Sequence, residues 1–338
     1  MPDPLAAIAT SDYATLAAEA QGLRERLNRL RLALGRHFVA RQAVVDALVV
    51  GAIAQEPVLL VGPPGTAKSA LVTALRDALA IGADHYFEYT LTRFTEPAEI
   101  LGPVDIQQLR QGAYRRRVAG KLPTATMAFL DEVFKSNSAI LNALLTVINE
   151  GKFYQDGRPE PVALRVLMAA SNDIPADGEL AALRDRFALK VPCPPVQDDH
   201  FTALLDMGLA AHTQRALNQR PWAEGHATLE DILKAHRYLT LQFAAGGPEG
   251  GVRDRQRFFP EPLLQEFRRV IKTLAREQRI AISDRRVVSY YRLVRTRAWL
   301  FHGGRVERQD LELLAYAGDS GEELTRLATW VPRLLGLA

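Results

Sequence analysis

The stretch Val58-Leu59-Leu60-Val61-Gly62-Pro63-Pro64-Gly65-Thr66-Ala67-Lys68-Ser69 constrains the fold of this chain more than any other. A short apolar run gives way to two glycines and two prolines. Ala70-Leu71-Val72-Thr73-Ala74-Leu75 then reads as a helix. The segment predicts a buried strand, a tight loop and a helix in succession. A loop placed there turns backbone N–H groups toward one anion, and the helix adds the positive end of its dipole. Lys68 would reach the outer phosphates of a nucleotide as a point charge, and the Ser69 hydroxyl would ligate Mg²⁺. The candidate binding residues are therefore Gly62, Pro63, Pro64, Gly65, Thr66, Ala67, Lys68, Ser69 and Ala70. Ala67 stands where such loops usually carry a third glycine. Alanine serves there only if its φ is negative and no phosphate needs its Cβ space. As the residue that leads into the helix, Ala67 is expected to meet both conditions. An ordinary strand–turn–helix connection is the competing reading, so other parts of the site have to be found.

Apolar strands at 58–61, 86–91, 127–131 and 163–170 alternate with helical stretches, which implies a parallel sheet covered on both faces. Two helices, 12–34 and 40–54, precede it. A long polar insert, 93–124, separates the second and third strands. Pro192, Pro194 and Pro195 mark a boundary, after which helices are expected at 198–212, 228–243, 260–278, 284–301 and 307–317. The Gly-rich run 243–255 reads as a flexible connection. The expected architecture is an α/β domain over residues 1–197, including the N-terminal helices. A small all-α domain with a short C-terminal tail follows over 198–338.

The strand Met127–Leu130 ends in Asp131-Glu132. Carboxylates at the carboxyl end of a buried strand overlie the crevice where open α/β sheets bind ligands. Asp131 is placed to hold Mg²⁺ through water, opposite Ser69, and Glu132 to orient and polarise the water that attacks a γ-phosphate. Ile140, Leu141, Leu144, Leu145 and Ile148 form the core face of the next helix. "GKFYQDGRP" reads as a β-hairpin with a type I′ turn at Asp156-Gly157. Nucleotide chemistry does not require that hairpin, so it is a candidate for gripping a substrate, together with the insert at 106–120. The strand "LRVLMAASN" ends at Asn172, whose amide could hold the attacking water or the γ-phosphate.

The order glycine loop, "FLDE", "AASN", "LRDRF" resembles the AAA+ P-loop ATPases, and specifically the MoxR family. "TRFTEPAEILGP", "FLDEVFKSNSAILNALLTVINEGKF" and "ISDRR" are similar to its RavA-like branch, over about residues 20–317. That branch also carries alanine before the loop lysine. The resemblance implies an AAA+ parallel-sheet domain with a helical lid, ATP and Mg²⁺ as ligands, and a hexameric ring. It also implies a von Willebrand A-domain partner and remodelling of protein clients. Arg186 in "LRDRF" matches the arginine finger that enters the neighbouring subunit's site, and Arg285 in "SDRR" matches the second sensor on the γ-phosphate, with Arg286 adjacent. Phe38 and Val39 fall where the family holds adenine. From spacing alone, these arginines read rather as surface or salt-bridge residues than as part of a site.

Composition sets the remaining bounds. With 48% apolar and 24% charged residues the chain is an ordinary globular one. Its net charge of +3 does not demand nucleic acid. Lys152 and Arg158 lie near the hairpin without forming a basic stripe. A nucleic-acid motor or restriction-type NTPase on the same fold is the alternative reading; a non-catalytic, nucleotide-gated scaffold is a third. A single cysteine, Cys193, excludes an internal disulfide, and Met1-Pro2-Asp3-Pro4 lacks the features of a secretory signal. Together these point to a cytoplasmic protein with no membrane insertion.

Overall fold

The computed structural model describes residues 4–176, 178–196, 200–217, 219–242 and 256–337. Helices α1 (Pro4–Gly35) and α2 (Gln42–Ala54) lead into β1 (Val58–Val61) and α3 (Lys68–Ala78). Strand β2 (Tyr86–Thr90), two short helices α4 (Pro97–Leu101) and α5 (Ile106–Arg110), and β3 (Met127–Asp131) follow. Next come α6 (Ser138–Glu150), the hairpin β4 (Lys152–Gln155) and β5 (Arg158–Pro161), then β6 (Val166–Ser171), α7 (Ala181–Arg186) and β7 (Leu189–Pro192). The remainder is helical: α8 (Phe201–Ala216), α9 (Leu229–Leu241), α10 (Glu261–Glu277), α11 (Asp284–His302), a 3₁₀ stretch Arg308–Ala317 and α12 (Gly321–Leu335).

The sheet is parallel throughout, in the order β2-β3-β6-β1-β7. Register places Val58 beside Met168 and Leu189, and Val61 beside Ser171 and Pro192. Alternation along the strands feeds two cores. Val58, Leu60, Phe129 and Met168 face one layer with α1, α2 and α11. Leu59, Val61, Leu130 and Ala169 face the other, with the α6 residues Ile140, Leu141 and Leu144. Both faces are covered, which is why the strands read as unbroken apolar runs.

Several expectations need correction. Strand 163–170 begins at Val166. A fifth strand, β7, joins the four expected; its apolar run is short and ends in the proline cluster at 192–195, which masks it in the sequence. The 307–317 helix is 3₁₀. The expected short tail is instead α12. It is capped by Ser320 and buries Leu324, Leu327, Val331 and Leu335 against β7 and the 3₁₀ stretch. The connection at 243–255 lies outside the described residues.

The polar insert folds back on itself through Val104 and Arg116, then joins the β4–β5 hairpin. Asp156 N–H donates to Tyr114 O at 2.8 Å, Tyr114 N–H donates to Asp156 Oδ1 at 3.1 Å, and Arg116 N–H donates to Gln155 Oε1 at 2.6 Å. Asp156 and Gly157 take φ of +50° and +71°, as a type I′ turn requires. The two candidate gripping segments therefore form one unit. Phe153, however, is only 5% exposed and belongs to the second core, so it is a structural anchor, whereas Tyr154 is 51% exposed. No helix among the described residues is long and apolar enough to cross a membrane.

Candidate functional site

A cleft of about 330 Å³ opens at the carboxyl ends of β1, β3 and β6. It is lined by Pro64, Gly65, Thr66, Ala67, Lys68, Ser69, Ala70, Asp131, Glu132 and Asn172. Gly62 and Pro63 sit just behind, at the base of the loop. The sequence explains the glycines differently. At Gly62 a Cβ would fall 2.2 Å from the Cys193 carbonyl oxygen, so the strand end beyond β7 excludes any side chain there. Gly65 has φ +82° and nothing within 4 Å of where its Cβ would stand, leaving the loop face open to a ligand.

Ala67 contradicts the expectation. Its φ is +66° and its ψ +19°, a left-handed conformation, not the negative φ anticipated for a helix start. That geometry costs an alanine about 1–2 kcal/mol. The loop imposes it: Thr66 Oγ1 donates to Pro63 O at 2.9 Å, and Ala67 O accepts from Leu71 N at 2.9 Å. Glu132 is the other non-glycine residue lining the cleft with positive φ, +54°. Its N–H donates to Asp131 Oδ1 at 2.9 Å and its carbonyl accepts from Lys135 N at 2.8 Å, a tight turn that swings the side chain over the cleft. Strain of this kind concentrates at functional sites.

The polar groups converge. Lys68 Nζ donates to Gly62 O at 2.6 Å, Pro63 O at 3.0 Å and Asn172 Oδ1 at 3.2 Å. Ser69 Oγ donates to Asp131 Oδ2 at 3.3 Å. Asn172 Nδ2 donates to Glu132 Oε1 at 2.7 Å, and Lys135 Nζ lies 3.2 Å from the same oxygen. No motif in the sequence marks Lys135; only the turn at Glu132 brings it there. A buried lysine (8% exposed) bonded to loop carbonyls, an open glycine face and a helix N-terminus suit a polyphosphate. The Ser69 and Asp131 oxygens suit a hard cation such as Mg²⁺.

A second cavity of about 580 Å³ continues from Ser69, Ala70 and Thr73 to Phe38, His37 and Trp222. Phe38 thus lies in a cavity that reaches Ser69 and Ala70, whereas Val39 does not line it. His37 meets Trp222 edge-on at 5.9 Å, and burial lowers the His37 pKa. Trp222 Nε1 donates to Asp77 Oδ2 at 3.4 Å. No sequence signal links these residues, because the chain returns to α3 only after the whole sheet is built.

Arg186 and Arg285 occupy neither cavity. Both line a third cleft, about 350 Å³, with Gln55, Glu56, Arg165 and Asp185. These residues precede β1, β6 and β7, so the cleft lies at the amino end of the sheet, about 13 Å of strand from the phosphate loop. Arg285 is therefore not brought to the loop of its own chain, contrary to a sensor acting within one subunit. The reason is local: Ser283 caps α11 and donates to Asp185 Oδ1 at 2.9 Å, docking the start of α11 beside Arg186. The adjacent Arg286 is buried and points elsewhere, toward Asp319.

Residues 25–232 match the model of the "MoxR domain in the MoxR-vWA-beta-propeller ternary systems", and residues 262–323 match an AAA lid domain. An uncharacterized protein of Methanocaldococcus jannaschii is 40% identical over 183 residues, 54% of this chain and 48% of that protein. The chaperone MoxR1 of Mycobacterium tuberculosis is 30% identical over 181 residues, 51% of this chain and 46% of its own. The chain spans about half the length of these curated relatives. The crystal structure of a candidate ATPase from Cytophaga hutchinsonii superposes with a TM-score of 0.69 at 16% identity, covering 96% of this chain and 98% of that one, which speaks to the fold alone. With its phosphate loop, paired strand-end carboxylates, helical lid and a family match over well over half its length, the chain belongs to the MoxR family of AAA+ ATPases.

Proposed function

We propose that this protein hydrolyses ATP with Mg²⁺ and uses the energy to remodel or activate protein clients. The observation that carries this reading is the convergence of Lys68, Ser69, Asp131, Glu132 and Asn172 on one cleft. Lys68 bonds to loop carbonyls and Asn172, and phosphate oxygens would take over those bonds. Mg²⁺ held by Ser69, and through water by Asp131, would neutralise charge on the β- and γ-phosphates. Glu132 orients the attacking water and takes its proton, while Asn172, bonded to the Glu132 carboxylate at 2.7 Å, fixes where that water sits. The cavity holding Phe38, His37 and Trp222 supplies an aromatic seat for the adenine, with polar groups such as Gln214 and Gln219 also in its lining.

The position of Arg186 and Arg285 supports assembly. Arginines at the amino end of the sheet cannot serve their own phosphate loop but can serve that of an adjoining copy, so we read a six-membered ring with both residues acting between subunits. In this reading residues 1–197 form the nucleotide-binding domain and 198–338 the lid, in a cytoplasmic member of the RavA-like branch. The description of the matching family, drawn from ternary systems with a vWA component, supports a von Willebrand A-domain partner. Lys68→Ala should abolish ATP binding. Glu132→Gln should retain binding and lose about 10²–10⁴-fold in turnover. Equal ATP affinity in wild type and Lys68→Ala, measured by equilibrium titration, would remove the site.

A further inference from the structure

Asp319 has no part in the chemistry above, yet two buried cations converge on it. Lys190, on β7, is 0% exposed and its Nζ lies 2.8 Å from Asp319 Oδ1. Arg286, on α11, is 2% exposed; its Nη1 lies 3.4 Å from both Asp319 oxygens and its Nη2 donates to Ala317 O at 2.5 Å. Burial, reinforced by the Arg286 charge, pushes Lys190 down to about 8. Burial alone would raise Asp319, but Lys190 and Arg286 outweigh it and hold its carboxyl below the usual range.

Two cations against one carboxylate are a poor way merely to join a strand to a helix. Apolar residues of similar volume often hold such an interface as well or better. What the arrangement supplies is position. Lys190 sits on the strand that follows Arg186, and Arg286 adjoins Arg285. Two further bonds cross the same seam: Ser283 Oγ to Asp185 Oδ1 at 2.9 Å, and Tyr290 OH to Ala188 O at 2.5 Å. Segment 185–190 and the first turns of α11 are therefore fixed to each other, with Arg186 and Arg285 lining one cleft between them. The Arg186 Nε is buried and meets no hydrogen-bond acceptor among the described residues, an unsatisfied donor beside the cleft that the side chain lines.

We propose that Asp319 is a positioning residue for ATP hydrolysis in the adjoining subunit: by clamping Lys190 and Arg286 together, it makes Arg186 and Arg285 one rigid two-arginine unit. This rests on the reading that both arginines act between subunits. The test uses the full-length chain. Asp319→Asn should bind ATP and assemble as wild type does, while kcat falls about 10–100-fold, the scale on which misplaced groups lose rate. Asp319→Glu keeps both ion pairs but displaces them by one methylene; it should lose about 3–10-fold in kcat with ATP affinity and thermal midpoint unchanged, and it serves if the Asn variant does not fold. Mixing Asp319→Asn with Glu132→Gln subunits should recover turnover, because the first supplies an intact Glu132 and the second an intact arginine pair. Arg186→Ala mixed with Glu132→Gln is the control. Recovery in the control but not with Asp319→Asn would overturn the proposal, placing Asp319 in its own subunit's site. Failure in both would overturn the inter-subunit reading itself. Wild-type kcat in both Asp319 variants would show that the clamp positions nothing.

Discussion

At Ala67 the backbone pays nothing for packing, since the side chain is exposed, and still holds φ at +66°. Replacing it with glycine therefore removes left-handed strain of about 1–2 kcal/mol. The same change frees the unfolded chain by about 0.5–1 kcal/mol. Ala67→Gly should leave the protein up to about 1 kcal/mol more stable in denaturant titration, with ATP affinity equal to or above wild type. A loss of stability would mean that the Cβ makes a contact the strain argument ignores. The example marks where sequence reading stops at this scale. Lys68, Ser69, Asp131, Glu132 and Asn172 were legible because each sits at the carboxyl end of an apolar strand or opens the helix after one, and the fold converts that position into proximity. The sign of φ at Ala67 was not legible, because the loop's own hydrogen bonds impose it. Lys135 and Trp222 were not legible either: one depends on a strained turn, the other on a return of the chain to α3 long after the loop.

Among the elements, those with a single apolar signature were readable from residue pattern, and those masked by their neighbours were not. Strands β1, β3 and β6 are buried on both faces and stand out as unbroken apolar runs. Strand β7 hides beside prolines, and α12 follows a 3₁₀ stretch that breaks the helical rhythm. The hairpin was readable from Asp156-Gly157, but its attachment to the insert was not, because Gln155, only 7% exposed, makes that weld through a backbone N–H remote in sequence. This attachment separates the two aromatics of β4. Phe153→Ala should destabilise the protein by about 3–5 kcal/mol, seen as a drop in thermal midpoint, because it empties a packed position. Tyr154→Ala should leave the thermal midpoint and basal ATP hydrolysis unchanged and reduce client-dependent activity. If Tyr154→Ala instead lowered basal hydrolysis in proportion, the welded unit would belong to the nucleotide site and not to client handling.

For the whole molecule, the separation of its two charged clefts by the length of a strand decides how it can work. The phosphate loop opens at one end of the sheet and the Arg186–Arg285 cleft at the other, so on the proposed reading a lone chain would hold a nucleotide site without the cations that complete it. Turnover per chain should accordingly rise with protein concentration as subunits associate, and level off once assembly is complete. Arg186→Ala should bind ATP nearly as wild type and lose most turnover, on the order of 10³-fold or more, as removal of an inter-subunit arginine does in related phosphoryl transfer. Arg285 gives the sharper test, because resemblance alone makes it a sensor that could act within its own chain. From its place beside Arg186, Arg285→Ala should also be recovered by mixing with Glu132→Gln subunits, each chain supplying what the other lacks. Were Arg285 to serve its own phosphate loop, the only chain with an intact Glu132 would be the one missing its sensor, and mixing would restore nothing. Turnover independent of concentration, with Arg186→Ala fully active, would leave a nucleotide-binding domain that works alone.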